Sequence, residues 1–369
     1  MLSQELQHLE VTGVFTNFGP VNTRFEQRIT DQLFGGIGQC LTVPSATTGL
    51  ILALKHAVFE KGPARRFALM PSFTFAAAGQ AALWAGLTPL FCDVDQDRWA
   101  MSCRSAEELL DQYGKDVAVI FPYASFGTDI DLEQFLELSR RYCVPIVIDA
   151  AASLGTLALD GRSFGSGFPF PVVFSMHVTK LFATAEAGLI YCYDRPTAER
   201  LRAMTNFGFE ESRHATIPGL NGKLPEVIAL LALERLLDLD SLGEHRSRLA
   251  AAYRAGLLEF EHQFFGGQRQ AFTFMPLLLP RGLDDYRDQI LSELEKNQIG
   301  CRKYFSPHLA EHPYFAERSV SGDLTVTRDV SRRIISLPMS DLMTVNEVEF
   351  VCSVLCRAVR ELSTHFREC

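Results

Sequence analysis

Basic charge is what this chain lacks. Its 369 residues carry 35 Lys and Arg against 44 Asp and Glu, a formal net charge of −9. With no basic stripe to neutralise a phosphate backbone, a nucleic-acid partner is not expected. The basic pairs Arg302–Lys303 and Arg332–Arg333 read as solvated surface charge. The N-terminus, MLSQELQHLEVTG, has neither a basic region nor an apolar core, so it does not read as a secretory signal. Internal repeats, low-complexity tracts and disordered linkers are also missing. Nine cysteines, an odd count spread from Cys40 to Cys369 with several in apolar runs (Cys92, Cys143, Cys192), suit a reducing compartment. Cys352 and Cys356 alone are closely spaced, and without a histidine nearby they do not read as metal ligands. A cytoplasmic, metal-free protein that binds no membrane is the expectation. A composition 47% hydrophobic and 21% charged is globular, and the length leaves room for more than one domain.

Between Phe67 and Cys92 no side chain is charged, a length that would suit a membrane helix. Pro71, Ser72, Thr74, Gln80 and Pro89 interrupt the stretch, which reads better as buried strand, helix, buried strand. Further short apolar runs, Val117–Pro122, Pro145–Ile148, Val172–Phe174 and Gly188–Tyr193, alternate with amphipathic stretches such as Asp131–Tyr142. That alternation predicts an α/β fold, a mainly parallel sheet covered by helices on both faces. From Pro225 to about Leu258 the period becomes that of one long helix, with Leu230, Leu233, Leu236 and Leu237 at helical spacing. Beyond it, the strand-like Phe272–Pro280, the helical Leu283–Lys296 and a closing helix over Asn346–Leu362 suggest a smaller α+β unit. The expected division is a large α/β domain over 1–235, with a lead-in segment over 1–30, and a small C-terminal domain over 236–369.

Chemistry concentrates in three places. In VFSMHVTKLFATAEAG, Val173 to Gly188, a lysine follows a short apolar strand. Apolar surroundings disfavour its ammonium form, making Lys180 a candidate imine-forming nucleophile, although a lysine in such a place is commonly a solvated loop residue. Ser175, Thr179 and Thr184 are candidate phosphate-side donors around it. In VPSATTGLILALKHA, Val43 to Ala57, small and hydroxyl residues (Ser45, Ala46, Thr47, Thr48, Gly49) run straight into an apolar helix. Such a start binds phosphate, or is an ordinary helix cap. In VPIVIDAAASLGT, Val144 to Thr156, Asp149 closes an apolar strand. There it can pair with a protonated ring nitrogen, with Ala150, Ala151 and Ala152 leaving room for a flat ring, or it can simply cap a helix. Phe73 or Phe75, at the end of another strand, can stack on such a ring or belong to the core.

Taken in order, these segments resemble the fold-type I pyridoxal-phosphate enzymes, and among them the DegT/StrS-type sugar aminotransferase family. TNFGP (Thr16 to Pro20), SATTGL, PSFTF with PLFCDVD, IDAAASLGT, FSMHVTK with AEAGLIY, NFGF, GLNGKLPEV, RKYFSPHL and ISLPMS all resemble family motifs, across nearly the whole chain. The resemblance implies a seven-stranded-type, mainly parallel sheet between helices and a pyridoxal 5′-phosphate cofactor held by Lys180 as a Schiff base. Asp149 would pair with the ring nitrogen, Thr47 with its neighbour Ala46 and Ser175 would bind the phosphate, and Phe75 and Ala151 would face the ring. Asn221 would reach the phosphate of a neighbouring subunit, making a homodimer with shared active sites. The implied reaction moves an amino group from an amino acid, glutamate by family habit, to a nucleotide-linked 4-keto-6-deoxyhexose. Tyr304, His308 and Lys223 resemble positions at the sugar or nucleotide end of the cleft.

The chain departs from the family twice. Where the family often has glutamine or histidine within reach of the cofactor's phenolic oxygen, this chain has Ala152. The glycine pair usual after the lysine reads Ala187–Gly188. Two other readings stay open: a different pyridoxal-phosphate reaction on the same scaffold, such as a lyase or a transaminase of a non-nucleotide ketone, and a non-catalytic protein that keeps the fold.

Overall fold

The computed structural model describes residues 2–61, 65–210 and 213–367. Two helices, α1 (Leu2–Thr12) and α2 (Pro20–Phe34), precede the edge strand β1 (Gln39–Val43). Then come α3 (Ala46–Lys61), β2 (Phe67–Pro71), α4 (Ala76–Trp84), β3 (Thr88–Cys92), α5 (Cys103–Tyr113) and β4 (Val117–Ile120). After α6 (Leu132–Tyr142), β5 (Ile148–Asp149), β6 (Val172–Ser175), β7 (Gly188–Cys192) and α7 (Arg195–Met204) complete the large sheet and its cover. The uncharged stretch is therefore β2, α4 and β3. Among the described residues no helix is long and apolar enough to cross a membrane.

Hydrogen bonding joins the strands in the orders β1-β7-β6-β5 and β4-β2-β3, and parallel bridges Ile120–Ile146 and Tyr123–Asp149 link the two runs into one sheet. β7 runs antiparallel to both β1 and β6, while β5–β6, β2–β4 and β2–β3 are parallel. Side chains alternate across the sheet, so Leu69, Ile120, Ile148, Phe174 and Leu189 fill one core. Their neighbours Met70, Val119, Val147, Val173 and Ile190 fill the other. Burial on both faces explains why these strands read as continuous apolar runs and not as alternating ones. Local chemistry sets the covering helices: Asp131 caps α6 by accepting from the N–H groups of Glu133 and Gln134, and Arg140 and Arg141 sit in its last turn.

The long helix α8 (Glu226–Gly256) leads into β8 (Glu261–His262), β9 (Met275–Leu278), α9 (Arg287–Lys296), α10 (Pro313–Ala316), β10 (Val320–Ser321), α11 (Thr325–Arg333), β11 (Ile334–Leu337) and α12 (Val345–Arg367). β11, β9 and β8 form an antiparallel sheet whose core includes Tyr253, Leu277, Ile290, Ile335 and Leu355. The short β10 instead pairs in parallel with β3, extending the large sheet by an eighth strand that no apolar run announced. A small cluster containing Phe73, Trp99, Phe126, Leu278 and Ile334 spans the two sheets. Arg333 is not the solvated surface residue its sequence neighbourhood suggested. It is 2% exposed, donates to the Leu279 carbonyl at 2.9 Å, and is ion-paired with Asp329 and Glu261. Of the nine cysteines in the sequence, eight lie among the described residues and are free, and Cys369 lies outside them.

One buried side chain helps to tie down the lead-in segment, beside the core contacts of Val21, Phe25 and Ile29. Glu226, at the start of α8 and fully buried, accepts from the backbone N–H groups of Val21 (2.8 Å) and Asn22 (3.1 Å), capping α2 from a distance in sequence. Removing that carboxylate leaves two buried donors unpaired, each costing about 1–3 kcal/mol. Glu226→Ala is therefore expected to lose roughly 2–4 kcal/mol of stability, read from urea denaturation, with Glu226→Gln in between. A loss below half a kcal/mol would show that α2 does not depend on this cap.

Candidate active site

The C-terminal ends of the parallel strands meet at a cavity of about 390 Å³, and the sequence candidates Ala46, Thr47, Phe75, Asp149, Ala151, Ser175 and Lys180 all line it. Parallel strands send their carboxyl ends to one side, so residues far apart in sequence converge there. Glycine sets how closely the pieces approach. A Cβ on Gly188, in β7, would lie 2.6 Å from the Ala46 nitrogen and from the Ser45 carbonyl carbon, so only glycine lets the start of α3 sit against this strand. Gly49, one turn on, faces Val173 in the same way, its Cβ meeting that side chain at 2.9 Å. The first turn of α3 then presents N–H groups that the helix itself does not satisfy. Ser45 Oγ accepts from Thr48 N–H at 3.1 Å, and Thr47 borders the cavity.

Asp149 is 4% exposed, and its Oδ1 accepts from the Ala151 N–H at 3.0 Å. Burial pushes its carboxyl up to about 6, with the Ala151 N–H and the Lys180 charge pulling back. Burial also holds the Lys180 ammonium below the ordinary lysine range, against the pull of Asp149. Each charge is thus poorly solvated: Asp149 is supported first by the Ala151 N–H and then by Lys180, and Lys180 by Asp149. The Lys180 loop is held by a ladder continuing the β6–β7 pairing: Met176 N–H to the Ala187 carbonyl (2.9 Å) and Val178 N–H to the Ala185 carbonyl (3.1 Å). Thr184 belongs to that scaffold, not to the cavity, since its hydroxyl donates to the Met176 carbonyl at 2.8 Å. His177 borders the cavity, with Nδ1 2.9 Å from Thr179 Oγ1 and Nε2 3.4 Å from Glu186 Oε1.

Other residues of the wall were not singled out as site candidates in the sequence: Tyr123, Phe126, Thr273, Phe274, Phe305 and Glu186. Phe126 and Phe305 stack at 5.6 Å and 15°, and Tyr123 meets Phe305 edge-on at 5.9 Å. Phe73 is buried in the core, leaving Phe75 as the cavity aromatic of that strand end. Of the three positions expected at the far end of the cleft, Tyr304 lines the cavity. His308 does not. It is buried with Nδ1 2.8 Å from Ser72 Oγ, which secures the C-terminal segment to the end of β2. Lys223 also lies elsewhere, bonded to Asn206 Oδ1 at 3.2 Å and placed over the Phe207 ring. Asn221 bridges to Asn206, is exposed, and does not line the cavity of its own chain.

The donor set suits pyridoxal phosphate. A desolvated lysine can form an imine, a buried aspartate can hold a protonated ring nitrogen, and hydroxyls with helix N–H groups suit a phosphate. Thr273, 3% exposed and on the cavity wall, has a buried hydroxyl with no hydrogen-bond partner among the described residues. Fold and site together define a fold-type I pyridoxal-phosphate-dependent aminotransferase. The chain belongs to the DegT/DnrJ/EryC1/StrS aminotransferase family, whose sequence profile matches residues 2–356. Protein Rv3402c of Mycobacterium tuberculosis is 33% identical over 361 residues, covering 97% of this chain and 87% of the relative. A dTDP-4-amino-4,6-dideoxy-D-glucose transaminase of Shigella dysenteriae is 26% identical, covering 96% of this chain and 95% of that protein. A crystal structure from Bacillus cereus with a provisional assignment as a PLP-dependent aminotransferase is 34% identical. It superposes with a TM-score of 0.90 over 96% of this chain and 95% of its own.

The buried carboxyl has a consequence for the cofactor-free protein. The folded-state pKa of Asp149, about 6, lies above the unfolded carboxylate value, so its contribution to stability is fully present below about pH 3.9 and is lost as pH rises through 6. Without cofactor, Asp149→Asn is expected to exceed wild type in stability at pH 8, by roughly 1–3 kcal/mol, the gap narrowing towards pH 4.5. Urea denaturation at both pH values measures it, and a less stable variant at pH 8 would contradict the assigned strain.

Proposed function

We propose that this aminotransferase moves an amino group from an amino acid, glutamate foremost, to a nucleotide-linked keto-deoxysugar of the 4-keto-6-deoxyhexose type. The observation that carries the reading is Lys180 facing Asp149 in one desolvated cavity beside the N-terminus of α3. The nucleotide-sugar substrate is supported by the Shigella relative, named as a dTDP-sugar transaminase and aligned along nearly its whole length.

Each residue has a task in this reading. Lys180 would hold the cofactor through its side-chain nitrogen and, once freed by the amino donor, would take the proton from the donor's Cα. Desolvation disfavours the ammonium form of that nitrogen and so favours this role. Asp149, whose charge a protonated ring nitrogen would stabilise, keeps that nitrogen protonated. Pyridoxal phosphate, when bound, supplies the conjugated ring that accepts the electron pair left by the broken C–H bond. Thr47, Ser175 and the N–H groups beside Ala46 bind the phosphate, while Ala151 and Phe75 bracket the ring. Lys180 would pass that proton on before water releases the keto acid, and in the second half it would deliver a proton to the sugar carbon already joined to nitrogen, the ketone oxygen having left as water.

The reading includes a homodimer. Asn221 lies outside its own chain's cavity, as a residue serving a neighbouring subunit would. Exposed apolar side chains on segments flanking the site, Phe15, Phe75, Val178, Phe207 and Val227, supply surface for such an interface.

The test is the visible absorbance of the purified protein with pyridoxal phosphate, before and after glutamate, with 2-oxoglutarate assayed in parallel. Loss of the band with a matching yield of keto acid is expected, and a dTDP-linked 4-keto-6-deoxyhexose should then restore it. A persistent band with no keto acid would remove glutamate as donor. Lys180→Ala is expected to abolish turnover with the fold retained, and Asp149→Asn to keep cofactor but lose at least a hundredfold in rate, by analogy with other proton-transfer groups. Unchanged amination by Lys180→Ala would refute the assignment.

A further inference from the structure

Resting on that cofactor reading, we infer that the Tyr123 hydroxyl supplies the hydrogen bond to the cofactor's ring oxygen, which Ala152 has no polar atom to make. Three observations carry it. Tyr123 and Asp149 are bridged in parallel register, so both side chains stand side by side at the same end of neighbouring strands. Tyr123 is 6% exposed and borders the cavity together with Asp149, Ala151 and Ala152. Its oxygen receives only one contact, from the Phe126 N–H at 3.4 Å, so the phenol keeps its own proton to donate.

The ring's chemistry fixes which edge meets Tyr123. In pyridoxal phosphate the phosphate-bearing carbon and the oxygen-bearing carbon flank the aldehyde carbon on opposite sides. Thr47 and Ser175 lie towards β6 and β7, on one side of β5. A phosphate held there directs the ring oxygen to the other side, towards the end of the run from β4 that carries Tyr123. Burial and the nearby Asp149 charge also raise the phenol's pKa, so Tyr123 stays a donor throughout the working pH range. Thr273 Oγ1, a buried hydroxyl of the cavity wall without a partner among the described residues, is the competing candidate.

A donor at the ring oxygen stabilises its negative charge and so lowers the affinity of the neighbouring imine nitrogen for a proton. The experiment is a pH titration of the visible band of holoenzyme loaded with pyridoxal phosphate, in wild type, Tyr123→Phe, Thr273→Val and the double variant Tyr123→Phe/Ala152→Gln. The other titratable groups bordering the cavity, Asp149, Lys180, His177, Glu186 and Tyr304, are the same in all four. Tyr123→Phe is expected to raise the midpoint by about one pH unit, Thr273→Val to leave it in place, and the added glutamine to bring it back down. A midpoint in Tyr123→Phe equal to wild type, with native far-UV circular dichroism, overturns the inference while the cofactor reading stands. A shift in Thr273→Val alone overturns it in favour of that hydroxyl. If wild type shows no visible band at all, the cofactor reading itself fails, and this inference falls with it.

Discussion

Everything around this site depends on keeping one carboxylate and one ammonium in a place that solvates neither well. Asp149 and Lys180 sit on adjacent strand ends, Asp149 at the end of β5 and Lys180 in the loop after β6, and burial opposes the charge of both. In water such a pair would be worth little, but where water is excluded each group's charge depends on the other. In the proposed reading a protonated ring nitrogen would change that balance, offering Asp149 a cation and leaving the lysine free to act as an amine. On that reading the poor solvation of the pair without cofactor would favour both binding and reactivity with it.

The parallel sheet is what makes the placement possible. Its strands are buried on both faces, so the one place where they can present polar groups is at their ends, and parallel direction puts those ends together. β7 is the exception in direction and earns its position by a different route. Running antiparallel beside β6, it extends the ladder that holds the lysine loop, and it brings Gly188 under the start of α3. The glycine missing at position 187 costs nothing visible here, because Ala187 is fully buried and its carbonyl accepts from Met176 N–H within that ladder.

How much was legible in the sequence follows from where each signal lies. Strands buried on both faces are continuous apolar runs, so β2, β4, β6 and β7 could be read directly, as could α6, α8 and α12 from their period. The edge strand β1, the helices α1 and α2 and the pairing of β10 with β3 were not read. β10 has only two paired residues, and α2 is fixed by Glu226 from 204 and 205 residues away, a contact no local pattern contains. The same distinction divides the site. Lys180, Asp149 and Thr47 follow strand ends or open a helix within recognisable segments. Tyr123, Phe126, Thr273 and Phe305 come from separate stretches that only the fold assembles. Arg333 was misjudged because charge in a sequence gives no hint of partners as distant as Glu261.

The wall opposite the lysine argues about substrate in a way the charged residues do not. Phe75, Phe126, Phe274, Tyr304 and Phe305 supply the cavity with five aromatic rings, beside the polar side chains of Asp149, Lys180, Tyr123 and Thr273. A fully hydroxylated sugar would leave several hydroxyls facing rings that return no hydrogen bond, at a cost of about 1–3 kcal/mol for each one left unpaired. A ring lacking a hydroxyl at one carbon and carrying a methyl at another presents an apolar edge that the same wall favours by burial. In the proposed reading a deoxygenated keto sugar would therefore suit such a lining better than its fully oxygenated counterpart. The preference comes from what the wall fails to offer more than from any contact it makes.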